Sequence, residues 1–234
     1  LVAETDGGGT TAVGFRALYS QVAGSNDSVQ KANTAVGFKA GRGTTTGVGN
    51  TFLGYQAARN ATTCSGSVAI GNQAMAGYSG ANITSDANGT IAIGEYALMN
   101  LSTGQYNVAI GAYAMDANAT GDYNTAVGYS ALTAMTDVDG NQGNTAIGFY
   151  ATITSGLYNT ALGANALDAA TTADGCTAIG YNALTAQTTN GSSDNVYNTA
   201  VGFGAGDALT TGLSNTFVGA DAGGGTVAGE SLVC

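Results

Sequence analysis

The chain has 234 residues, 38 of them glycine, with no proline, tryptophan or histidine and a formal net charge of −10. No run of about 18 apolar residues occurs, so no membrane-spanning helix is expected, and so acidic a body should repel nucleic acid and anionic membranes. With no histidine, no serine or cysteine beside a plausible base and no paired carboxylates in a recurring frame, the sequence gives catalysis little support, and the expectation is a protein that is not an enzyme.

Taken in chain order, residues 1–9 read as an N-terminal tail, residues 10–226 as a repeat array and residues 227–234 as a C-terminal tail. The repeat is Asn-Thr-Ala-Val-Gly-x-x-Ala. It is nearly unaltered at Asn33–Ala40, Asn124–Ala131, Asn144–Ala151, Asn159–Ala166 and Asn198–Ala205, and variants complete twelve copies. Neighbouring anchor glycines lie 15 to 23 residues apart, most often 17. A fixed period of this kind predicts a solenoid in which each copy is one coil stacked on the last.

Every copy keeps the glycine and, three residues later, an alanine, as in Gly37 and Ala40, Gly128 and Ala131, Gly148 and Ala151, and Gly202 and Ala205. An aliphatic residue always precedes the glycine, and all but Leu53 and Leu162 are β-branched, which favours a strand. Alanine stands two before the glycine except at Phe52 and Phe217, and Thr, Val or Ile stands three before it. Side chains of a strand alternate between faces. Both faces of this strand are apolar, so the pattern predicts a parallel sheet buried on both sides, with the threonines in a buried β-branched stack. The alanine three after the glycine predicts an interior too narrow for a larger side chain. Segments rich in Gly, Ser, Thr, Asn and Asp join the copies and read as outward loops.

Charge is uneven along the chain. Arg16, Lys31, Lys39, Arg42 and Arg59 are its only cations, so residues 1–59 carry five cations against three acids and the remainder carries twelve acids and no cation. A basic end and an acidic body could favour head-to-tail contact, but a solubilising acidic surface is the simpler reading of the acids. Of the three cysteines, Cys64 and Cys176 lie about seven coils apart, too far for a bridge. Cys234 is the candidate for an intermolecular disulfide. A start at Leu1 rather than methionine suits a processed, exported chain.

The motifs Ser67-Val68-Ala69-Ile70-Gly71, Thr90-Ile91-Ala92-Ile93-Gly94 and Asn107-Val108-Ala109-Ile110-Gly111 resemble the head repeats of trimeric autotransporter adhesins. The Asn124–Leu132 form is similar to repeats of phage tail-fibre-type proteins. The resemblance covers residues 10 to 226. It implies an all-β, left-handed parallel β-roll of about twelve coils, assembled as a homotrimer and displayed extracellularly, on a cell surface or a virion. The function it implies is a structural fibre or adhesive spike that assembles with itself and attaches to a protein or carbohydrate receptor. The usual 17-residue step is longer than those heads require, and no coiled-coil stalk or membrane anchor is seen. A filament subunit stacking end to end and a carbohydrate-binding module on a solenoid are the other readings.

Site candidates are few. Asp137, Asp139 and Asn141 place oxygen ligands at alternate positions, a weak Ca2+ candidate without the glycine and glutamate of a full loop. Asp122, Asp174 and Asp194 sit in similar segments. Asn26, Asn60, Asn82, Asn88, Asn100, Asn118 and Asn190 begin Asn-x-Ser/Thr sequons and read as possible glycosylation sites in loops. Tyrosines flank the motif, Tyr96, Tyr113 and Tyr150 after the glycine and Tyr106, Tyr123, Tyr158 and Tyr197 before the asparagine. They suit either the covering of roll edges or the binding of sugars and proteins.

Overall fold

Each copy of the motif sets a threonine or β-branched residue, a small residue and an aliphatic residue in a row, and each such row forms a three-residue strand. A computed structural model of the chain describes residues 8–22, 31–77, 82–135, 143–154, 156–169, 173–188 and 195–234. Two units divide it, Leu1–Asp122 and Tyr123–Cys234. The first holds β1 (Thr11–Val13), β2 (Thr34–Val36), β3 (Thr51–Leu53), β4 (Val68–Ile70), β5 (Ile91–Ile93) and β6 (Val108–Ile110). The second holds β7 (Thr125–Val127), β8 (Thr145–Ile147), β9 (Thr160–Leu162), β10 (Thr177–Ile179), β11 (Thr199–Val201) and β12 (Thr216–Val218).

Within each unit the strands pair in chain order, all parallel, with motif positions in register: Thr11 with Thr34 and Val68 with Ile91 in the first, Thr145 with Thr160 and Ala200 with Phe217 in the second. The register ignores the length of chain between strands. Spacings as different as 23 residues (Gly14 to Gly37) and 15 (Gly148 to Gly163) give the same pairing. The ladder runs past the strand ends, since Gly37 N donates to Val13 O and Lys39 N to Phe15 O, both at 2.8 Å. Each coil therefore stacks on the next through its turn as well as its strand, and the chain is an all-β parallel β-solenoid.

The anchor glycine is required twice over. Gly94 has φ 136°, where only glycine is comfortable, and a Cβ there would lie 2.5 Å from Gly111 O of the next coil. After the glycine the chain reverses through left-handed residues that are not glycine, such as Tyr96 (φ 57°) and Leu98 (φ 50°). Non-glycine residues adopt this region at some cost. The cost is met in copy after copy because the turn buries the alanine and the following residue: Ala97 and Leu98, Ala114 and Met115, Ala131 and Leu132, Ala166 and Leu167 are all fully buried.

The interior is narrow, as the invariant alanine implies. It is filled by the central strand residue, by that alanine and, in seven copies, by the Leu or Met after it. The expected burial of both strand faces is corrected. From β2 onward only the central residue of each strand is buried, while the Thr, Val or Ile before it and the aliphatic residue after it are half-buried or exposed; in β1 the central Ala12 is half-buried too. The threonines accordingly do not form a buried stack. The closed side of the coil takes the alanine together with the buried turn residues, and among the described residues no layer covers the other face.

A buried polar row runs beside the core. In the first unit Asn50 Nδ2 donates to Cys64 O at 2.9 Å while its Oδ1 accepts from Ser67 N at 2.9 Å. In the second, Asn144 donates to Gly156 O at 2.7 Å and accepts from Asn159 N at 2.9 Å, and Asn159 repeats the pattern with Ala173 O and Cys176 N at 2.7 and 2.8 Å. These asparagines are buried. Each satisfies two backbone groups that the sheet leaves over, as buried polar groups must.

Residues 227–234, expected as a tail, extend the ladder instead: Thr216 N donates to Leu232 O at 2.7 Å and Val218 N to Cys234 O at 2.9 Å. The motif spacing continues there, since Leu232 N donates to Asn215 Oδ1 at 2.9 Å, 17 residues on. Residues 1–7 of the expected N-terminal tail lie outside the described residues.

Candidate interaction surface

Strand alternation carries the aliphatic residue before the glycine, and the residue after it, to the outer face. Val13 is 57% exposed, Leu162 44% and Val218 62%, while Phe15 and Phe203 are each 60% exposed. Leu53, Ile110 and Ile147 continue the aliphatic row, and Phe38, Tyr55, Tyr129, Phe149 and Tyr181 the aromatic one. The rings stack coil on coil: Phe15 on Phe38 at 5.4 Å and Phe38 on Tyr55 at 5.3 Å in the first unit, Tyr129 on Phe149 at 5.6 Å and Tyr181 on Phe203 at 5.2 Å in the second. In the other copies the position carries Asn72, Glu95, Ala112, Ala164 and Ala220, and the side chains of Asn72 and Glu95 meet at 2.9 Å. An apolar face of this kind, uncovered in a single chain, is what an association surface looks like.

The tyrosine positions singled out from sequence fall into two groups. Tyr106, Tyr158 and Tyr197, all exposed, lie over glycines of the preceding coil. A Cβ on Gly89 would meet Tyr106 Cδ1 at 2.7 Å, and one on Gly175 would meet Tyr197 Cδ1 at 2.6 Å. They cover the coil edge while keeping a face in solvent. Tyr96 and Tyr113, 5.3 Å apart and tilted by 34°, line a shallow depression with Gln73 and Met99. The aromatic residues directly after the glycine form the longer ladder, and the reading of the tyrosines alone missed them. Their signal is present in sequence, as an aromatic at one fixed offset in seven copies.

Asp137, Asp139 and Asn141, together with Asn26, Asn190 and Asp194, lie outside the described residues. Asp122 and Asp174 accept backbone N–H groups of the preceding coil, from Gln105 at 2.9 Å and Leu157 at 2.7 Å. Among the described residues no three His, Cys, Asp or Glu side chains converge on one point, and no helix is long and apolar enough to cross a membrane. Of the sequons, Asn82 is exposed. Asn60 donates to Gly77 O at 2.7 Å and Asn100 to Asp116 O at 2.8 Å, while Asn88 Oδ1 accepts from Ser65 N at 2.6 Å. Asn118 is buried with its amide turned to Gly121 O, leaving no room for a glycan in the folded chain and correcting its reading as an open loop site.

Cys64 and Cys176 are free and buried, and loss of hydration pushes each thiol up from 9.0 to about 11. Cys234 is free and exposed. No protein-family model, no curated protein and no solved structure matches this chain.

Proposed function

We propose that the protein is a non-catalytic structural fibre or adhesive spike segment that assembles with itself through its outer aliphatic and aromatic face. The observation that carries this reading is the row of exposed Val, Leu and Ile beside stacked exposed rings. Alanine fills much of the interior and contributes little burial per residue, at about 25 cal/mol per Å2. A sister chain laid on the outer face supplies the burial that the interior lacks. Three chains side by side, a left-handed winding and an extracellular setting are the finer parts of the reading, and they rest on the likeness of the motif to adhesin-head and tail-fibre repeats.

The test is sedimentation equilibrium of the purified chain, with electron microscopy of the same sample. A trimer that falls to monomers in Leu162→Asp/Phe203→Ser is the expected result. A wild-type monomer at the highest soluble concentration overturns the reading, and long filaments in place of discrete particles replace it with end-to-end stacking.

A further inference from the structure

We infer that the first three coils carry a binding site for an anionic polysaccharide, on a side of the coil next to the face proposed for assembly. Arg16 and Lys39 occupy the second place after the glycine in adjacent coils, and Arg42 and Arg59 the fifth place in the next adjacent pair. The ladder holds these places in register: Lys39 N donates to Phe15 O at 2.8 Å, and Gly43 N to Arg59 O at 2.9 Å. Cations in the same place are therefore one strand spacing apart, about 4.8 Å. Arg16 and Arg42 are exposed, and Lys39 and Arg59 are half-buried.

Three of the four are positioned before any ligand arrives. The Arg16 guanidinium lies 5.2 Å from the ring centres of both Phe15 and Tyr19, Lys39 Nζ lies 4.8 Å from that of Phe38, and Arg59 donates to Gln56 Oε1 at 3.1 Å. Such contacts lower the ordering cost of binding. Lys31, by contrast, is buried and donates to Thr46 O, so it is no part of the patch. Among the described residues from 8 to 77 there is no acid, and the four cations of the patch outnumber the three acids of residues 1–59. Glu4, Asp6 and Asp27, the three acids of this end, lie outside the described residues, and the next acid along the chain is Asp86, in a later coil.

A flexible anionic chain matches a row of cations at this spacing. A charged sugar chain fits better than a single-stranded nucleic acid, which gains much of its affinity by stacking bases on open aromatic faces. Here Phe15, Phe38 and Tyr55 are stacked on one another, with planes within 15° and 7° of parallel, leaving no gap for a base. Sugar rings need no such gap.

The experiment is fluorescence anisotropy with a labelled heparin fragment, a labelled neutral dextran and a labelled single-stranded oligonucleotide. It is run at about 0.1 M and about 1 M salt, between which the screening length falls from ~10 to ~3 Å. Heparin is expected to bind at the lower salt only, and dextran at neither. Arg16→Asn/Arg42→Ser should weaken binding about tenfold with unchanged melting. Arg59→Gln, in a separate chain, should weaken it severalfold, which keeps the test decisive should the double variant fail to fold. Binding that persists in Leu162→Asp/Phe203→Ser separates this site from the assembly reading. Equal affinity in the variants, no heparin binding at the lower salt, or an oligonucleotide bound as tightly as heparin would each overturn the proposal.

Discussion

The Phe52 ring takes the space that a side chain at Gly41 would need: a Cβ on Gly41 would lie 2.6 Å from Phe52 Cδ2. Phe217 stands in the same relation to Gly206 and Gly223, at 2.9 and 2.6 Å. Other coils put alanine where these phenylalanines stand, and Leu or Met where the glycines stand in all but two, which carry Ala58 and Thr152. The interior thus keeps its volume by exchange between neighbouring coils, as close packing demands.

Phe52→Ala should accordingly cost about 3–5 kcal/mol, the range for emptying a buried aromatic site. Adding Gly41→Leu should return part of that loss. Leucine already adopts the required left-handed backbone in this slot at Leu18 (φ 47°) and Leu98 (φ 50°). Urea denaturation of the single and double variants checks it, and a double variant no more stable than the single would show that the two sites do not share one volume.

Asn144→Ala removes a buried side chain that both donates to Gly156 O and accepts from Asn159 N. Two backbone groups lose their partners at roughly 1–3 kcal/mol each. A loss of about 2–5 kcal/mol is expected. Hydrogen exchange should show faster exchange at Asn159 N than in the wild type, and equal protection there would mean that water replaces the amide.

Ala131→Leu tests the narrowness of the interior. Ala131 is fully buried, and three added carbons have no space to enter. Overpacking of this kind costs roughly 1–3 kcal/mol. Calorimetry should show lowered melting, and an unchanged transition would place the position at the surface.

The buried thiols give a pH dependence of known sign. In the folded chain Cys64 and Cys176 hold their protons up to about 11, against 9.0 for an ordinary thiol. Above pH 9.0 the unfolded chain releases protons that the folded chain retains. The thiol contribution to stability is therefore complete below that pH and is lost as pH rises toward 11. Denaturation midpoints across this range should fall, and less so in Cys64→Ala/Cys176→Ala. At neutral pH a thiol-specific reagent should modify Cys234 alone until the chain is unfolded.

Spacing and residue type by themselves determined the strands, their parallel register and the two glycine and alanine positions. Each depends on neighbours along the chain and on repetition, and both are visible in sequence: β-branching before Gly128, no Cβ at Gly128, and nothing larger than alanine at Ala131. Tertiary structure decided which face of the strand is inside. A row such as Thr160-Ala161-Leu162 is apolar on both faces, and alternation alone cannot rank them. The left-handed turn at Asn165 and Leu167 buries Ala166 and Leu167 on the side that also buries Ala161, and Leu162 is left 44% exposed. The exchange of volume between Phe52 and Gly41 and the bonds of Asn144 to the next coil were hidden for the same reason. They join residues that the sequence separates and that only the stacking of one coil on the next brings within reach.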